Sequence, residues 1–198
     1  MRVPSLSMIL IGAAAAFLGG CGATPLPPGE PISRSAVPFQ YGKTGAVRTT
    51  IVISDEAWSG VEAIFEPPPA TAEEERERTA AAIGEFEKIA GSQTPTHADR
   101  RGSNWPGLVG SGQMDCIDES TNTTNYLRLL DAAGLLRFHE VMSPVRRYKW
   151  IFNVHRTALL RERATGSLYV VDSWFRDNGE PAVVQPLDVW RRGWEDPY

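Results

Sequence analysis

Helical patterns in the first part of the chain followed by an antiparallel hairpin predict an α+β domain. Three stretches carry that expectation. Thr71 stands three residues before Glu74, a capping-box spacing, and opens a helical pattern that closes before Gly91. Ser111-Gly-Gln-Met-Asp-Cys-Ile117 turns a glycine-containing loop into a second helix, from Cys116 to about Ala133, with Gly134 as its stop. Residues 150–160 and 167–174 are strand-like runs, and Arg161-Glu-Arg-Ala-Thr-Gly166 between them carries turn chemistry.

The 198-residue chain begins with features that are not part of a fold. Arg2, an apolar run from Met8 to Leu18 and small residues up to Cys21 read as an export signal over residues 1–20. Leu18-Gly19-Gly20-Cys21 resembles the bacterial lipoprotein signal, which implies that Cys21 is acylated and becomes the mature N-terminus. Gly22 in place of aspartate after it implies the outer membrane, facing the periplasm. Pro25, Pro27, Pro28, Pro31 and Pro38 among small residues make 21–46 a lipidated tether, leaving 47–198 as one domain. A net charge of -4 and a pI near 5.5 exclude a basic nucleic-acid footprint. Membrane attachment would come through the N-terminal lipid.

Val47-Arg-Thr-Thr-Ile-Val-Ile53 reads as a strand, and Ser54 as the start of a helix ended by Pro67-Pro68-Pro69. In the helix from Thr71, Ala81, Ile83, Phe86, Ile89 and Ala90 face a core, while Glu73 to Arg78 read as a solvated face. Residues 91–112 form a long loop suited to lining a cleft, with His97 a surface residue within it. Residues 135–141 read as a short strand in which His139 is structural. Ser120 to Asn125 are poor helix formers, so tertiary packing must hold the start of the cysteine helix.

The chemistry gathers on Cys116. Backbone N–H groups at a helix start favour a thiolate, whereas the first-turn carboxylates Asp118 and Glu119 oppose one, so an activating partner is required elsewhere. With Cys21 lipidated, Cys116 has no disulfide partner; it is either a reactive thiol or a small buried hydrophobe. His155 and Asp172 lie on the two strands of the predicted hairpin. With an even loop, opposed positions have an odd sum, so these two residues share a face. There Asp172 can orient His155 towards Cys116, or the pair can be a satisfied core histidine and a turn cap.

Asp115-Cys116 at a helix start, the Ala-Gly-Leu that ends the helix, His155 on a strand and Tyr169-Val-Val-Asp172 on the next resemble the transglutaminase-like superfamily. Within it the pattern resembles the bacterial transglutaminase-like cysteine proteinases, over roughly residues 71–175. The resemblance implies a papain-like α+β fold, with the helix-borne cysteine packed on an antiparallel sheet carrying His and Asp, and a Cys116–His155–Asp172 triad. It implies a lipid-anchored envelope peptidase or amidase acting on a protein or peptide. Acyl transfer to an amine shares the first half-reaction, and the rival is a non-catalytic binding or scaffold lipoprotein. Gln113 is an oxyanion-hole candidate or a loop polar residue, and Trp105 and Trp174 are candidate cleft walls. No cofactor is expected. Calcium on Asp115, Asp118 and Glu119 is the minor alternative, since dipole complementation explains these residues more simply.

Overall fold

The computed structural model describes residues 31–102, 111–149 and 153–193. The signal segment, Cys21, the tether up to residue 30, and Trp105 lie outside them. The described chain runs β1 (Val37–Tyr41), β2 (Val47–Ile51), α1 (Asp55–Ile64), α2 (Ala72–Gly91), a 3-10 turn (Pro95–Ala98) and α3 (Cys116–Ala132). It continues through β3 (His139–Lys149), β4 (Asn153–Glu162), β5 (Leu168–Asp172), β6 (Val183–Pro186) and α4 (Leu187–Arg191). β1 and β2 form an antiparallel pair, and β3 to β6 an antiparallel sheet in sequence order. The fold class is therefore α+β. Among the described residues no helix is long and apolar enough to cross a membrane.

Side chains on β4 alternate between two cores, as the period of an extended strand requires. Ala158 and Leu160 face the larger one with Phe86, Tyr126, Leu127 and Leu130, whereas Leu159 faces a smaller one with Met142, Val170, Leu187 and Trp190. Helices α2 and α3 are joined by the stacked rings of Phe86 and Tyr126, 4.8 Å apart. A Cβ on Gly84 would lie 2.7 Å from the carbonyl oxygen of Glu180, so glycine is what lets α2 meet that loop. The caps follow the sequence: Ser54 accepts from Ala57 N and Thr71 from Glu74 N. Glu74 reaches back to the N–H of Ala70, one residue before the cap.

Three expectations need correction. The tether does not extend to residue 46, because Val37 and Phe39 of β1 are buried in the core. Pro38 is tolerated there because β1 has a partner strand on one side only. The β1–β2 turn, from Gly42 to Gly45, has positive φ throughout. Its Lys43 and Gly45 N–H groups converge on Asp118 at 2.8 and 2.7 Å, and Thr44 N–H donates to Asp115. Fixed N–H donors aimed at one carboxylate hold this strained turn on the start of α3.

The segment from Glu73 to Arg78 is a solvated face only in part: Glu73, Glu74 and Glu77 are exposed, but the residues between them are not. Glu75 is fully buried and accepts from the N–H groups of Arg137, Phe138 and His139 and from Nδ1 of His139 at 2.8 Å. Arg76 lies between Glu162 and the ring of Tyr169, and Arg78 donates to the carbonyl of Ile64. The strand expected over 135–141 begins at His139 and runs on to Lys149. Its register against β4 shifts between Met142 and Val145, a bulge that accommodates Pro144. Beyond the bulge Arg147 pairs directly with His155.

Several of the poor helix formers of α3 have partners outside the helix. Asn122 accepts from Gln40 N at 3.0 Å and donates to Gln40 O at 2.8 Å, as a neighbouring strand would. Asn125 donates to Pro38 O, and the hydroxyls of Thr121 and Thr124 return to carbonyls four residues back. Docking of β1 thus offsets the weak propensity of the sequence.

Candidate active site

Cys116 is the first residue of α3 and a half-buried free thiol. The Asp115 carboxylate caps the helix through Ile117 N and Asp118 N, and its carbonyl takes Glu119 N. As the first residue of the helix, Cys116 has an N–H without an intrahelical acceptor. Gly112 has φ of 80°, and a Cβ there would stand 2.4 Å from the Pro95 carbonyl oxygen. The approach to Cys116 therefore requires glycine at that position.

His155 and Asp172 share a face, as the parity of the hairpin predicts. They are diagonal rather than opposed, because Ala158 pairs with Val171. Nε2 of His155 and Oδ2 of Asp172 are 2.7 Å apart. β5 ends at Asp172, short of the level of His155, and so leaves the edge of β4 open where α3 starts. Sγ of Cys116 lies 3.9 Å from the carbonyl oxygen of Val154, the neighbour of His155. With Nε2 committed to Asp172, Nδ1 is the ring nitrogen left for the sulfur.

The electrostatics favour the imidazolium form of His155. Burial pulls the imidazole down, but hydrogen bonds to Asp172 and Cys116 and the charges of both outweigh it and raise His155 to about 9. Three rings surround the imidazole, Trp174 at 4.7 Å, Phe175 at 5.3 Å and Trp190 at 5.6 Å between centroids. Trp174 thus stands against the imidazole. Trp190 does more, since its Nε1 donates to Oδ2 of Asp172 at 2.9 Å. It fixes the carboxylate that holds the imidazole. Sequence reasoning missed it because α4 is a five-residue helix without a side-chain cap.

Gln113 is close in sequence but committed elsewhere. Its Nε2 donates to Ala98 O at 2.8 Å and its Oε1 accepts from Arg100 N. The amide braces the preceding loop. The three carboxylates considered for calcium diverge: Asp115 caps the helix, Asp118 holds the β1–β2 turn, and Glu119 points into the protein. Among the described residues, no group of three or more His, Cys, Asp or Glu side chains is arranged to hold a metal ion. His139 is structural, paired with Glu75.

Behind the His155–Asp172 pair lies a buried carboxyl cluster to which no local sequence pattern points. Ser173, next to Asp172, donates to Glu119 at 2.5 Å and contacts Thr123 at 3.0 Å. This links the strand end that carries Asp172 to the helix that carries Cys116. Burial first, then the charges of Glu87 and Asp99, push Glu119 well above the usual carboxylate range. Burial likewise raises Asp99, to about 6, against the N–H of Met114. Burial also raises Glu87 to about 8, against the N–H of Gly179.

A carboxyl with a raised folded pKa stabilises most below its unfolded value, near 4.5 for glutamate, and that stability is lost as pH rises through the folded pKa. Glutamine at 119 keeps an acceptor for Ser173 and cannot titrate. Glu119→Gln should therefore flatten the decline of the urea midpoint as pH rises above about 4.5. An unchanged slope would place the proton elsewhere.

No family model, curated protein or solved structure matches this chain.

Proposed function

We propose that the protein is a thiol hydrolase, a peptidase or amidase with a papain-like or transglutaminase-like arrangement, lipid-anchored in the cell envelope. The observation that carries this reading is the hydrogen-bonded His155–Asp172 pair at the open edge of β4, against which the helix start bearing Cys116 packs. In the reaction the Cys116 sulfur forms a bond to an acyl carbon, and the carbonyl oxygen takes up the negative charge. The backbone N–H of Cys116 faces that charge. As the tetrahedral intermediate collapses, the C–N bond breaks and the His155 imidazolium gives its proton to the leaving amine. Neutral His155 then takes a proton from water, which attacks the thioester and releases the acid and the thiolate. Asp172 keeps the ring oriented throughout, with Trp190 fixing its Oδ2. The lipoprotein-type signal of the sequence supports the envelope location, with the outer membrane as the expected site.

The test is a complex peptide library incubated with wild-type protein and with Cys116→Ala, then analysed by mass spectrometry. New termini found only with the wild type are expected. If methylamine is incorporated at glutamine instead, the acyl-enzyme passes to amines and the protein is a transglutaminase. Identical digests from both proteins would contradict catalysis and favour a scaffold.

A further inference from the structure

On the α3 side of the sheet, the helix covers Ala158 and Leu160 of β4 and begins at Cys116. The next outward positions on that face are Arg156 and Val154. Their cross-strand partners are Arg146 and Tyr148. Val154 and Tyr148 are exposed at 42% and 70%, two of the three large hydrophobic residues in the described chain that are open to solvent. Arg146 and Arg156 oppose each other directly, a like-charge pair that costs stability in a sheet. Among the described residues neither arginine has an acidic partner.

Arg156 is also coupled to the nucleophile. Burial lowers its pKa most, Arg146 lowers it further, and the charge of Cys116 opposes both, so the guanidinium is within electrostatic reach of the sulfur. An anion between the two arginines would remove their repulsion and supply the missing partner. A carboxylate matches the planar fork of a guanidinium. The apolar pair Tyr148–Val154 beside it fits the flanking part of an extended chain.

We propose that this face of the β3–β4 hairpin receives an acidic peptide segment of the substrate, with a carboxylate on Arg146 and Arg156 and a neighbouring apolar residue on Tyr148 and Val154. The proposal rests on the hydrolase reading above and adds the substrate class to it. A peptide is favoured over a lipid surface because the patch adjoins the nucleophile and holds two arginines, fewer than the polybasic clusters that bind anionic bilayers.

The test uses the full chain and two alkylating probes of nearly equal size, anionic iodoacetate and neutral iodoacetamide, with modification followed at Cys116 by peptide mapping. Their rate ratio cancels changes in the thiolate itself. The ratio should fall about five-fold in Arg146→Gln/Arg156→Gln, the size of one close charge pair in water. It should fall likewise in wild type at high salt. A capped Ala/Glu peptide should protect Cys116 of the wild type better than its Ala/Gln counterpart, and the preference should vanish in the double variant. An unchanged ratio or equal protection overturns the proposal and leaves the hydrolase reading intact. Protection by phosphatidylglycerol vesicles but not by the Glu peptide assigns the patch to lipid and also overturns it. A Cys116 inert to iodoacetamide removes the hydrolase reading and the proposal with it.

Discussion

Glu75→Ala should cost about 4 kcal/mol of folding stability, the scale expected when one partner of a buried, charged hydrogen-bond network is removed. The carboxylate lies at zero exposure and satisfies three consecutive backbone N–H groups, those of Arg137, Phe138 and His139, where the chain enters β3. It also receives Nδ1 of His139, itself fully buried. Alanine leaves all four donors without an acceptor. Burial alone would raise the Glu75 pKa, but the His139 hydrogen bond and the backbone N–H groups outweigh it and lower the value. A carboxyl with a depressed folded pKa stabilises above its unfolded value, near 4.5, and that contribution is lost as pH falls through the folded one. Urea unfolding should thus show the largest gap between wild type and variant at neutral pH and a shrinking gap in acid. A gap below about 1 kcal/mol at pH 7 would mean that the network contributes no more than an ordinary hydrogen bond.

Asp172→Asn should lower the turnover of any substrate found by about 10³-fold or more, as loss of the orienting carboxylate does in analogous triads. Asparagine keeps the shape but removes the charge and one acceptor that His155 and Trp190 share. The imidazole should respond measurably as well. Its pKa of about 9 depends on Asp172 against the downward pull of burial, so in the variant it should move towards neutrality. Proton NMR titration of His155 reads this directly. In the wild type the raised value gives stability that is fully present below the unfolded value of 6.5 and lost as pH rises through 9. Loss of that pH dependence should accompany loss of turnover. A variant with normal turnover and a His155 still near 9 would remove Asp172 from the mechanism.

The site was more legible in the sequence than its surroundings. Cys116 at a capped helix start, and His155 and Asp172 at matching parity on a hairpin, could be read because helix caps and strand alternation leave local signatures. Where the hairpin register put them, diagonal rather than opposed, depended on where the loop closed. β1 was hidden by Pro38 and by the glycines of its turn, whose conformation is set by Asp115 and Asp118 some seventy residues later. Glu75 looked solvated because its burial depends on the chain at 137–139, which no local pattern records. Trp190, Ser173 and Glu119 act through partners distant in sequence, and a residue type alone does not show which carboxyl keeps its proton.

The central claim is that an imidazolium at His155 sustains a reactive thiolate at Cys116. The most direct measurement is the rate of iodoacetamide modification of Cys116 at pH 6.5 in wild type and in His155→Ala. The thiolate is the alkylated species, and a neighbouring imidazolium favours it, so the wild type should react at least about ten-fold faster. Equal rates in the two proteins would contradict the account, leaving Cys116 a thiol without a catalytic partner.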